Sequence, residues 1–467
     1  MQLMVVLDGT IVTVALPTVQ NSLGFSQSGL AWVMNAYLLA FAGLLLLSGR
    51  LGDLLGGRRV FLAGLVLFTS ASLLCGVADS RGLLIAGRFA QGAGGALASA
   101  VILGMIVRLY PEPTGQARAM GIYSFVSAGG AAVGLIAGGV ITQTLGWHWA
   151  FLVNVPIGVA ALVCAVRVLA ADRGIGLGEG ADVLGAVLVT AGLSLCVYAI
   201  VQSGQSGVGP GRTLGCGAAA LALLAGFVVR QATAARPMLP LRLFAKRQTT
   251  GANLVVVLVF AAGFGFQFLN ALYLQHILGF SSMRTGLAFL PGPVVIGVVS
   301  LFLSAGLNTR FGTRAVLLTG LAAIAVSLAL LSRAPVGGHY ATDILPTLLL
   351  MGLGMGLAIP AVMMLAMSGA EPGDAGLASG LNSTAQQAGA AVGLAVLATL
   401  AVRRTDARLS HGVPGIQALR DGYSLSFLAS AGFVCAAFLV ALVVLKPATR
   451  APARPADIRE SVAADQR

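Results

Sequence analysis

The chain has 467 residues, of which 57% are hydrophobic and 9% are charged, with a formal net charge of +13. An average soluble domain carries about 25% charged residues, so this composition excludes a water-soluble globular protein. The basic residues are scattered and lack interleaved aromatic residues, which argues against a nucleic-acid-binding surface. The composition therefore predicts a multi-pass membrane protein whose positive charge faces anionic lipid headgroups.

Apolar stretches of about 20 residues, the length that crosses a hydrocarbon core, recur along the whole chain. Each should be helical, because a single spanning segment satisfies all its backbone groups in lipid only as a helix. We predict fourteen helices, while twelve stays an open alternative because glycines crowd the turn between the seventh and the eighth. The predicted spans are residues 3–22, 29–48, 60–79, 82–107, 118–142, 148–170, 182–202, 213–230, 250–276, 285–308, 314–332, 343–367, 376–401 and 424–446.

The basic residues also predict the orientation in the membrane. If both termini are cytoplasmic, nineteen lysines and arginines face inward and eight face outward, which obeys the positive-inside rule. Four arginines between the last two spans oppose this bias locally: Arg403, Arg404, Arg408 and Arg420. We expect a plasma-membrane protein that functions as a monomer, with a disordered cytoplasmic tail over residues 447–467.

A charged, glycine-rich segment at residues 49–59, GRLGDLLGGRR, separates the second span from the third. We call it the hinge, because part of it recurs 256 residues later in SAGLNTRFGTRAVLLTG, residues 304–320, which we call the hinge copy. Leu51, Gly56, Arg58, Val60 and Gly64 align with Leu307, Gly312, Arg314, Val316 and Gly320. The repeat predicts two related halves, residues 1–170 and 249–446, joined by a linker at 171–248 that carries two additional spans.

Two ionisable residues fall inside apolar spans, where charges are costly. Asp8 lies in LMVVLDGTIVTVALP and should face a wet cavity, in which desolvation favours the protonated carboxyl group. It is a candidate proton carrier, and an interfacial aspartate near a helix end is the alternative. Arg88 lies in LLIAGRFAQGAGGALASAV and needs a carboxylate, carbonyl groups or water. It could balance Asp8 or an anionic substrate, or it could only tie helices together.

The hinge has the composition of a cytoplasmic latch. Glycine permits a tight turn, and the arginines should hold the loop at the membrane surface. Asp53 could cap a helix or pair with Arg118, whereas the hinge copy has Thr309 at that position, so a charged latch would operate in one half only. A loop that serves topology alone is the alternative. The candidate latch residues are Gly49, Asp53, Gly56, Arg58, Arg59 and Arg118.

Small and polar residues on other spans are further candidates. The fifth span carries a stripe of small residues that permits close helix approach, with a candidate role in gating, although packing alone could explain it. The stripe consists of Gly130, Gly134, Gly138 and Gly139. A substrate cavity could be lined by polar and methionine side chains, with helix–helix hydrogen bonding or ordinary packing as the alternatives. These candidates are Asn35, Tyr37, Gln91, Gln267, Asn270, Tyr273, Met355 and Gln386.

Four motifs together resemble the major facilitator superfamily, and within it the fourteen-helix drug:proton antiporter group. LDGTIVTVALP is similar to the first-helix signature, GRLGDLLGGRR to the cytoplasmic-loop motif and LIAGRFAQGAGGA to the fourth-helix arginine motif. WHWAFLVNVPIG is similar to a stretch typical of this group. The resemblance covers nearly the whole chain and implies an all-α membrane fold of two pseudo-symmetric six-helix bundles with two extra helices.

The resemblance also implies a function, which is proton-coupled efflux of small lipophilic or cationic compounds by alternating access. Asp8 would be the proton-sensing carboxylate, Arg88 its partner and Asp53 a latch against the helix that begins near residues 375–380. The partners would be a small-molecule substrate, protons and the lipid bilayer, with no nucleic acid, and the proton gradient would supply the energy without a cofactor, a metal or a catalytic residue.

Three departures from the family pattern bear on this expectation. Leu135 follows the second glycine of the fifth-helix motif, where proline is usual, and this removes an element that bends the helix. His148 and Gly57 stand where the family often has arginine. Proton-coupled uptake is the alternative within transport, and a non-transporting receptor or a membrane enzyme is the alternative outside it, although no cluster of histidine, cysteine or carboxylates supports an enzyme.

Overall fold

The computed structural model of the chain describes residues 1–110, 112–170, 172, 174, 176, 180–204, 210–234, 237–368 and 375–445. The predicted tail at 447–467 lies outside these residues. The α-helices in chain order are α1 Gln2–Leu23, α2 Gln27–Leu55, α3 Gly57–Gly76, α4 Arg81–Leu109, α5 Pro113–Thr144, α6 Trp149–Leu152, α7 Asn154–Val168, α8 Val183–Ser203, α9 Pro210–Thr233, α10 Arg242–Ala245, α11 Arg247–Leu272, α12 Ser282–Phe289, α13 Pro291–Val298, α14 Ser304–Phe311, α15 Thr313–Leu331, α16 Leu345–Ser368, α17 Ala375–Ser410 and α18 Gly415–Val444. Three π-helical turns extend or join them, at Tyr273–Ile277, Val299–Leu303 and Tyr340–Ile344.

Membrane-length helices dominate the described part of the chain. Thirteen helical stretches are long and apolar enough to cross a membrane. Between the fourth and the fifth of these lies α5, a 32-residue helix in which residues 129–144 form a shorter apolar stretch. The predicted all-α membrane protein is confirmed, and the count of fourteen spans stays a prediction.

The turn between α2 and α3 is a single residue. The predicted spans stopped at residue 48 and resumed at residue 60, but α2 continues through the charged part of the hinge and α3 begins at Gly57. Gly56 makes the turn with φ 94° and ψ 137°, a backbone conformation that side-chain-bearing residues rarely adopt. Gly312 has φ 85° and ψ 143° between α14 and α15. The repeated glycines therefore form the same one-residue turn in each half.

Glycines also allow the third helix of each half to cross the fourth closely. A Cβ atom on Gly64 of α3 would lie 2.8 Å from the carbonyl oxygen of Gly94 in α4, and one on Gly94 would lie 2.9 Å from the carbonyl oxygen of Gly64. In the other half, Gly320 of α15 has the carbonyl oxygen of Gly354 in α16 at 2.8 Å. The two crossings are built alike and leave no room for a side chain.

The repeated arginine of the hinge binds the last helix of its own half. The guanidinium of Arg58 donates to the carbonyl of Val166 near the end of α7, at 2.8 Å. Its counterpart in the hinge copy, Arg314, donates to the carbonyl of Leu442 near the end of α18. The C-terminal turn of a helix carries partial negative charge and unpaired carbonyl groups, so a cation there stabilises the helix end.

The four arginines that oppose the positive-inside bias lie in or near helix ends, since α17 and α18 extend well beyond their predicted spans. Arg403 donates to the carbonyl of Ser203, the last residue of α8, at 2.9 Å. Arg408 and Arg420 both bind the carboxylate of Asp421, at 2.6 and 3.2 Å. These arginines join α17 to α18 and cap α8, which gives them a structural function at the end opposite the hinge.

The first additional helix, α8, contacts both halves. Thr190 lies against Gly43 of α2, with no room for a Cβ atom at the glycine. Near its other end, the carbonyl of Ile200 accepts a hydrogen bond from Thr399 of α17 at 3.4 Å. The additional pair α8 and α9 is therefore anchored between the bundles through α8.

The close crossing of α3 and α4 makes a prediction about stability. Gly94→Ala places a methyl group against the backbone of α3, so the helices must separate, and overpacking of this kind costs about 1–3 kcal/mol. We expect a lower unfolding temperature for the detergent-purified variant. The matched control is Gly82→Ala, also in α4, where nothing lies within 4 Å of the added atom. Equal unfolding temperatures for the two variants would show that the crossing tolerates a side chain.

Candidate functional site

Asp8 lies in α1 at the centre of a buried hydrogen-bond network. Its Oδ2 accepts from Arg88 Nη1 at 2.6 Å, and its Oδ1 accepts from Gln91 Nε2 at 2.7 Å and from Asn154 Nδ2 at 3.3 Å. All four side chains are 0% exposed. A buried carboxylate without partners would cost several kcal/mol. Arginine and two amides thus replace the water that would otherwise solvate this charge.

Arg88 connects three helices. Besides Asp8, its Nη1 donates to Oε1 of Gln91 at 2.6 Å, and its Nε donates to the carbonyl of Val33 in α2 at 2.9 Å. The guanidinium carbon lies 4.6 Å from the ring centroid of Tyr37, a favourable cation–π distance. Nη2 has no hydrogen-bond partner among the described residues. One donor of the cation is therefore available to another acceptor.

The glycines that follow Arg88 bring α4 to this position. A Cβ atom on Gly92 would collide with the backbone carbonyl of Tyr37, and one on Gly95 would lie 3.1 Å from the Tyr37 hydroxyl. Only a helix without side chains at these positions comes near enough to α2 for Arg88 to reach its carbonyl. The fourth-helix motif therefore combines a cation with the small residues that allow its approach.

The network extends to α3 and α7 through two residues that the sequence analysis missed. Gln91 Nε2 also donates to Ser72 Oγ at 2.9 Å, and Asn154 reaches Asp8 from the first turn of α7. The available signal was weak, since a serine or an asparagine in an apolar span has many fates. Gln91, predicted as a cavity candidate, is fully buried and bonded to three side chains, so it lies in the charge network.

The stripe of glycines on α5 faces the helix that carries Asp8. Gly130, Gly134 and Gly138 lie against α1, and a Cβ atom on Gly138 would be 2.8 Å from an α1 backbone carbon. Gly139 points elsewhere and would bring a Cβ atom within 2.7 Å of Met283 in α12. The stripe thus places α5 between the Asp8 helix and the second half, and its role in gating stays a prediction.

The hinge shows a contact different from the predicted latch. Asp53 and Arg118 are both exposed, and no hydrogen bond or ion pair between described residues joins them. The start of α3 is capped instead by Asp172 of the linker, whose carboxylate accepts from the backbone nitrogen of Gly57 at 2.6 Å and from that of Arg58 at 3.0 Å. An interaction across 115 residues could not be read from the motif.

The other latch candidates surround this cap. Gly56 forms the turn, Arg59 is exposed, and a Cβ atom on Gly49 would meet nothing within 4 Å. On the facing half, Gly380 of α17 would bring a Cβ atom to 3.1 Å from Leu46 of α2. The side chain of residue 375 lies outside the described residues. A latch between Asp53 and this helix stays a prediction.

Apart from Gln91, the cavity candidates differ in exposure and in hydrogen bonding. Asn35 and Asn270 are 0% exposed, and their side-chain amide atoms have no hydrogen-bond partner among the described residues. Gln386 donates to Asn382 at 2.7 Å. The hydroxyl of Tyr273 is engaged with the carbonyl of residue 335 at 2.7 Å. The remaining candidates are Tyr37, with a buried and unpaired hydroxyl, and the partly exposed Gln267 and Met355.

The sequence of the chain is similar to those of known proteins over most of its length. The family model described as Major Facilitator Superfamily matches residues 1–394. The chain belongs to the major facilitator superfamily. It is 37% identical over 470 residues to a puromycin resistance protein of Streptomyces alboniger, covering 97% of this chain and 93% of that protein. It is 39% identical over 454 residues to the cephamycin export protein CmcT of Amycolatopsis lactamdurans, covering 97% and 91%.

Solved structures agree with this family. An auto-inhibited peptide transporter of the POT family superposes with a TM-score of 0.68 at 16% identity. The match covers 97% of this chain and 97% of that transporter. A bacterial homologue of the human lysosomal transporter Spinster, in an inward-facing conformation, has a TM-score of 0.67 at 17% identity, with 96% of this chain and 97% of that chain covered. These likenesses show the major facilitator fold, which confirms the predicted fold class.

The charge pair makes a prediction about stability. Arg88→Met leaves the Asp8 carboxylate buried without its cation, and breaking a buried pair from one side costs about 3–5 kcal/mol. Asp8→Asn leaves the cation unpaired in the same way. The double variant Asp8→Asn with Arg88→Met removes both charges, so its unfolding temperature in detergent should lie above that of the Arg88→Met variant.

Arg404→Met, at an exposed position of α17, serves as the control and should leave the unfolding temperature unchanged. If the losses of the two single variants simply add in the double variant, the two charges do not depend on each other.

Proposed function

We propose that the chain exports small lipophilic compounds of the antibiotic type across the plasma membrane in exchange for protons, with both termini in the cytoplasm. Two observations support this proposal. A puromycin resistance protein and a cephamycin export protein are more than a third identical to this chain over nearly its whole length. The observation that carries proton coupling is the fully buried ion pair of Asp8 and Arg88.

The ion pair can respond to a proton because the two charges depend on each other. When Asp8 is ionised, its charge holds Arg88 and thereby links α1 to α4. When Asp8 binds a proton, Arg88 loses its counterion and keeps only neutral acceptors, which are Gln91 Oε1 and the carbonyl of Val33. A buried cation without a counterion is costly, so protonation favours a different arrangement of these helices.

A rearrangement of α1 has a direct route to the other half. The carbonyl of Val14 in α1 accepts a hydrogen bond from Gln275, in the π-helical turn after α11, at 3.1 Å. The glycine stripe of α5 packs on α1 and also reaches α12 through Gly139. These contacts must separate for the end opposite the hinge to open, so the charge state of Asp8 is coupled to the opening of that end.

In the proposed cycle, Asp8 takes a proton while the site is open to the outside, and the compound is released there. The site then opens to the cytoplasm, where Asp8 loses the proton, the pair with Arg88 reforms and the next compound is captured. Proton flow down its gradient thus drives each return of the site, as alternating access requires.

The polar groups available to the compound are mainly neutral. Gln386 and Met355 are partly exposed, whereas the unpaired amide groups of Asn35 and Asn270 are fully buried and become available only when the helices around them move. The carboxylate of Asp8 is already paired with Arg88 and has no oxygen without a donor. Uncharged lipophilic compounds with hydrogen-bonding groups therefore suit this surface better than compounds that need a free carboxylate.

Export can be tested in an exporter-deficient host. Cells that express the chain should grow at higher concentrations of at least one compound from a panel of puromycin, a cephamycin, tetracenomycin C and ethidium, and should accumulate less of it. Increased accumulation would indicate uptake instead. Unchanged accumulation of every compound would favour a protein that does not transport these classes.

Proton coupling can be tested in everted vesicles with the compound that the growth panel selects. Addition of that compound to energised vesicles should release protons from the lumen, detected by a pH-sensitive dye, in proportion to the amount transported. Asp8→Asn, which cannot carry the proton, should abolish this release and accumulation against a gradient. Undiminished proton-driven accumulation by Asp8→Asn would exclude Asp8 as the coupling residue.

A further inference from the structure

Asn154 occupies a special place in the network. It begins α7 directly after a one-residue break at Val153, which separates α7 from the short helix α6. Its side chain is 0% exposed, and its Nδ2 donates to Asp8 Oδ1 at 3.3 Å. Its Oδ1 has no hydrogen-bond partner among the described residues. Asn35, Asn270 and Asn308 also have buried amide oxygens for which the described residues supply no donor. Among these four amides, Asn154 is the one that contacts a carboxylate.

Asn154 differs from Gln91, the other amide that contacts Asp8, in how many hydrogen bonds fix its orientation. Nε2 of Gln91 donates to Asp8 and Ser72, and its Oε1 accepts from Arg88. Turning this amide by half a revolution would break all three hydrogen bonds. Turning the amide of Asn154 would break only the one bond to Asp8, because its oxygen is unpaired. Of the two amides that contact the carboxylate, only Asn154 can exchange its donor for its acceptor without losing other partners.

We propose that Asn154 is a positioning residue for the proton on Asp8 and serves both charge states of that carboxyl group. When Asp8 is ionised, Asn154 Nδ2 donates to Asp8 Oδ1, as the structure shows. When Asp8 Oδ1 binds a proton, this oxygen becomes a hydrogen-bond donor. A half-turn of the Asn154 amide then presents Asn154 Oδ1 as the acceptor. The proton comes from hydronium on the side to which the site is open and returns to water on the other side, so each transfer breaks one O–H bond and forms one.

The electrostatic surroundings of Asp8 are simple enough for this effect to be measured. Arg88 is its counterion, and Tyr37 of α2 and Cys75 of α3 are the titratable groups that interact electrostatically with it. The other helices packed on α1, which are α5, α6, α7, α11 and α12, place no charged side chain in contact with Asp8 among the described residues. A change at Asn154 therefore acts on Asp8 without displacing another charge.

This inference rests on the proton coupling proposed above, and infrared difference spectroscopy separates the two. In wild-type protein, lowering the pH should produce the carboxylic acid band of protonated Asp8, absent in Asp8→Asn. Asn154→Leu removes the donor to the ionised form, and hydrogen bonds to charged groups are the stronger ones. It also removes the acceptor of the protonated form, and a carboxylic acid that loses this hydrogen bond absorbs at higher frequency, so the band should shift upward from its wild-type frequency.

The matched control is Asn308→Leu, a buried amide in α14 that donates to Ser304 at 3.2 Å, and its Asp8 band should lie at the wild-type frequency. If Asn154→Leu does not fold, the smaller Asn154→Ala should give the same upward shift. An Asp8 band that keeps its wild-type frequency in the Asn154 variants would overturn the inference and leave proton coupling standing. A wild type without an Asp8 band would instead remove the proposed function.

Discussion

The burial of one carboxylate constrains the whole first half of this protein. Asp8 is fully enclosed among apolar helices, and a charge there must be paired to be tolerated. Arg88 supplies the counterion, but it can do so only because Gly92 lets α4 approach α2. Asn154 reaches the same carboxylate from the first turn of α7. The motifs of α1, α4 and α7 therefore act together to stabilise the charge of Asp8.

The two halves share their framework and differ in their charges. The repeated residues form one-residue turns at Gly56 and Gly312, and Arg58 and Arg314 each bind the last helix of their own half. Of the charges that are not repeated, the first half and the linker carry the Asp8 pair, Asp53, and Asp172, which caps α3. The second half carries the ion pairs of Arg408 and Arg420 with Asp421. The two halves thus share a symmetric scaffold, and the proposed control by charge lies in the first half.

The sequence predicted the features that a short stretch of residues determines by itself. A charge in an apolar run must be buried with a partner, so Asp8 and Arg88 stood out, and a repeated glycine marked each turn. The sequence did not reveal Asn154 or Ser72, because neutral polar residues in apolar spans usually serve helix packing. Asp172 was missed because its contacts are distant in the chain. The end of α17 was predicted too early and the start of α18 too late, since arginines that bind carbonyl groups and carboxylates in helix ends look like loop residues.

The central claim is that protonation of Asp8 decides whether the two halves separate at the end opposite the hinge. Spin labels at Val140→Cys on α5 and Leu287→Cys on α12, both exposed positions, in a protein without other cysteines, would report the distance between the halves by electron spin resonance. We predict that the distance distribution of the wild-type background changes between neutral and acidic pH, whereas Asp8→Asn keeps the acidic distribution at both. A pH response in Asp8→Asn equal to that of wild type would contradict the account.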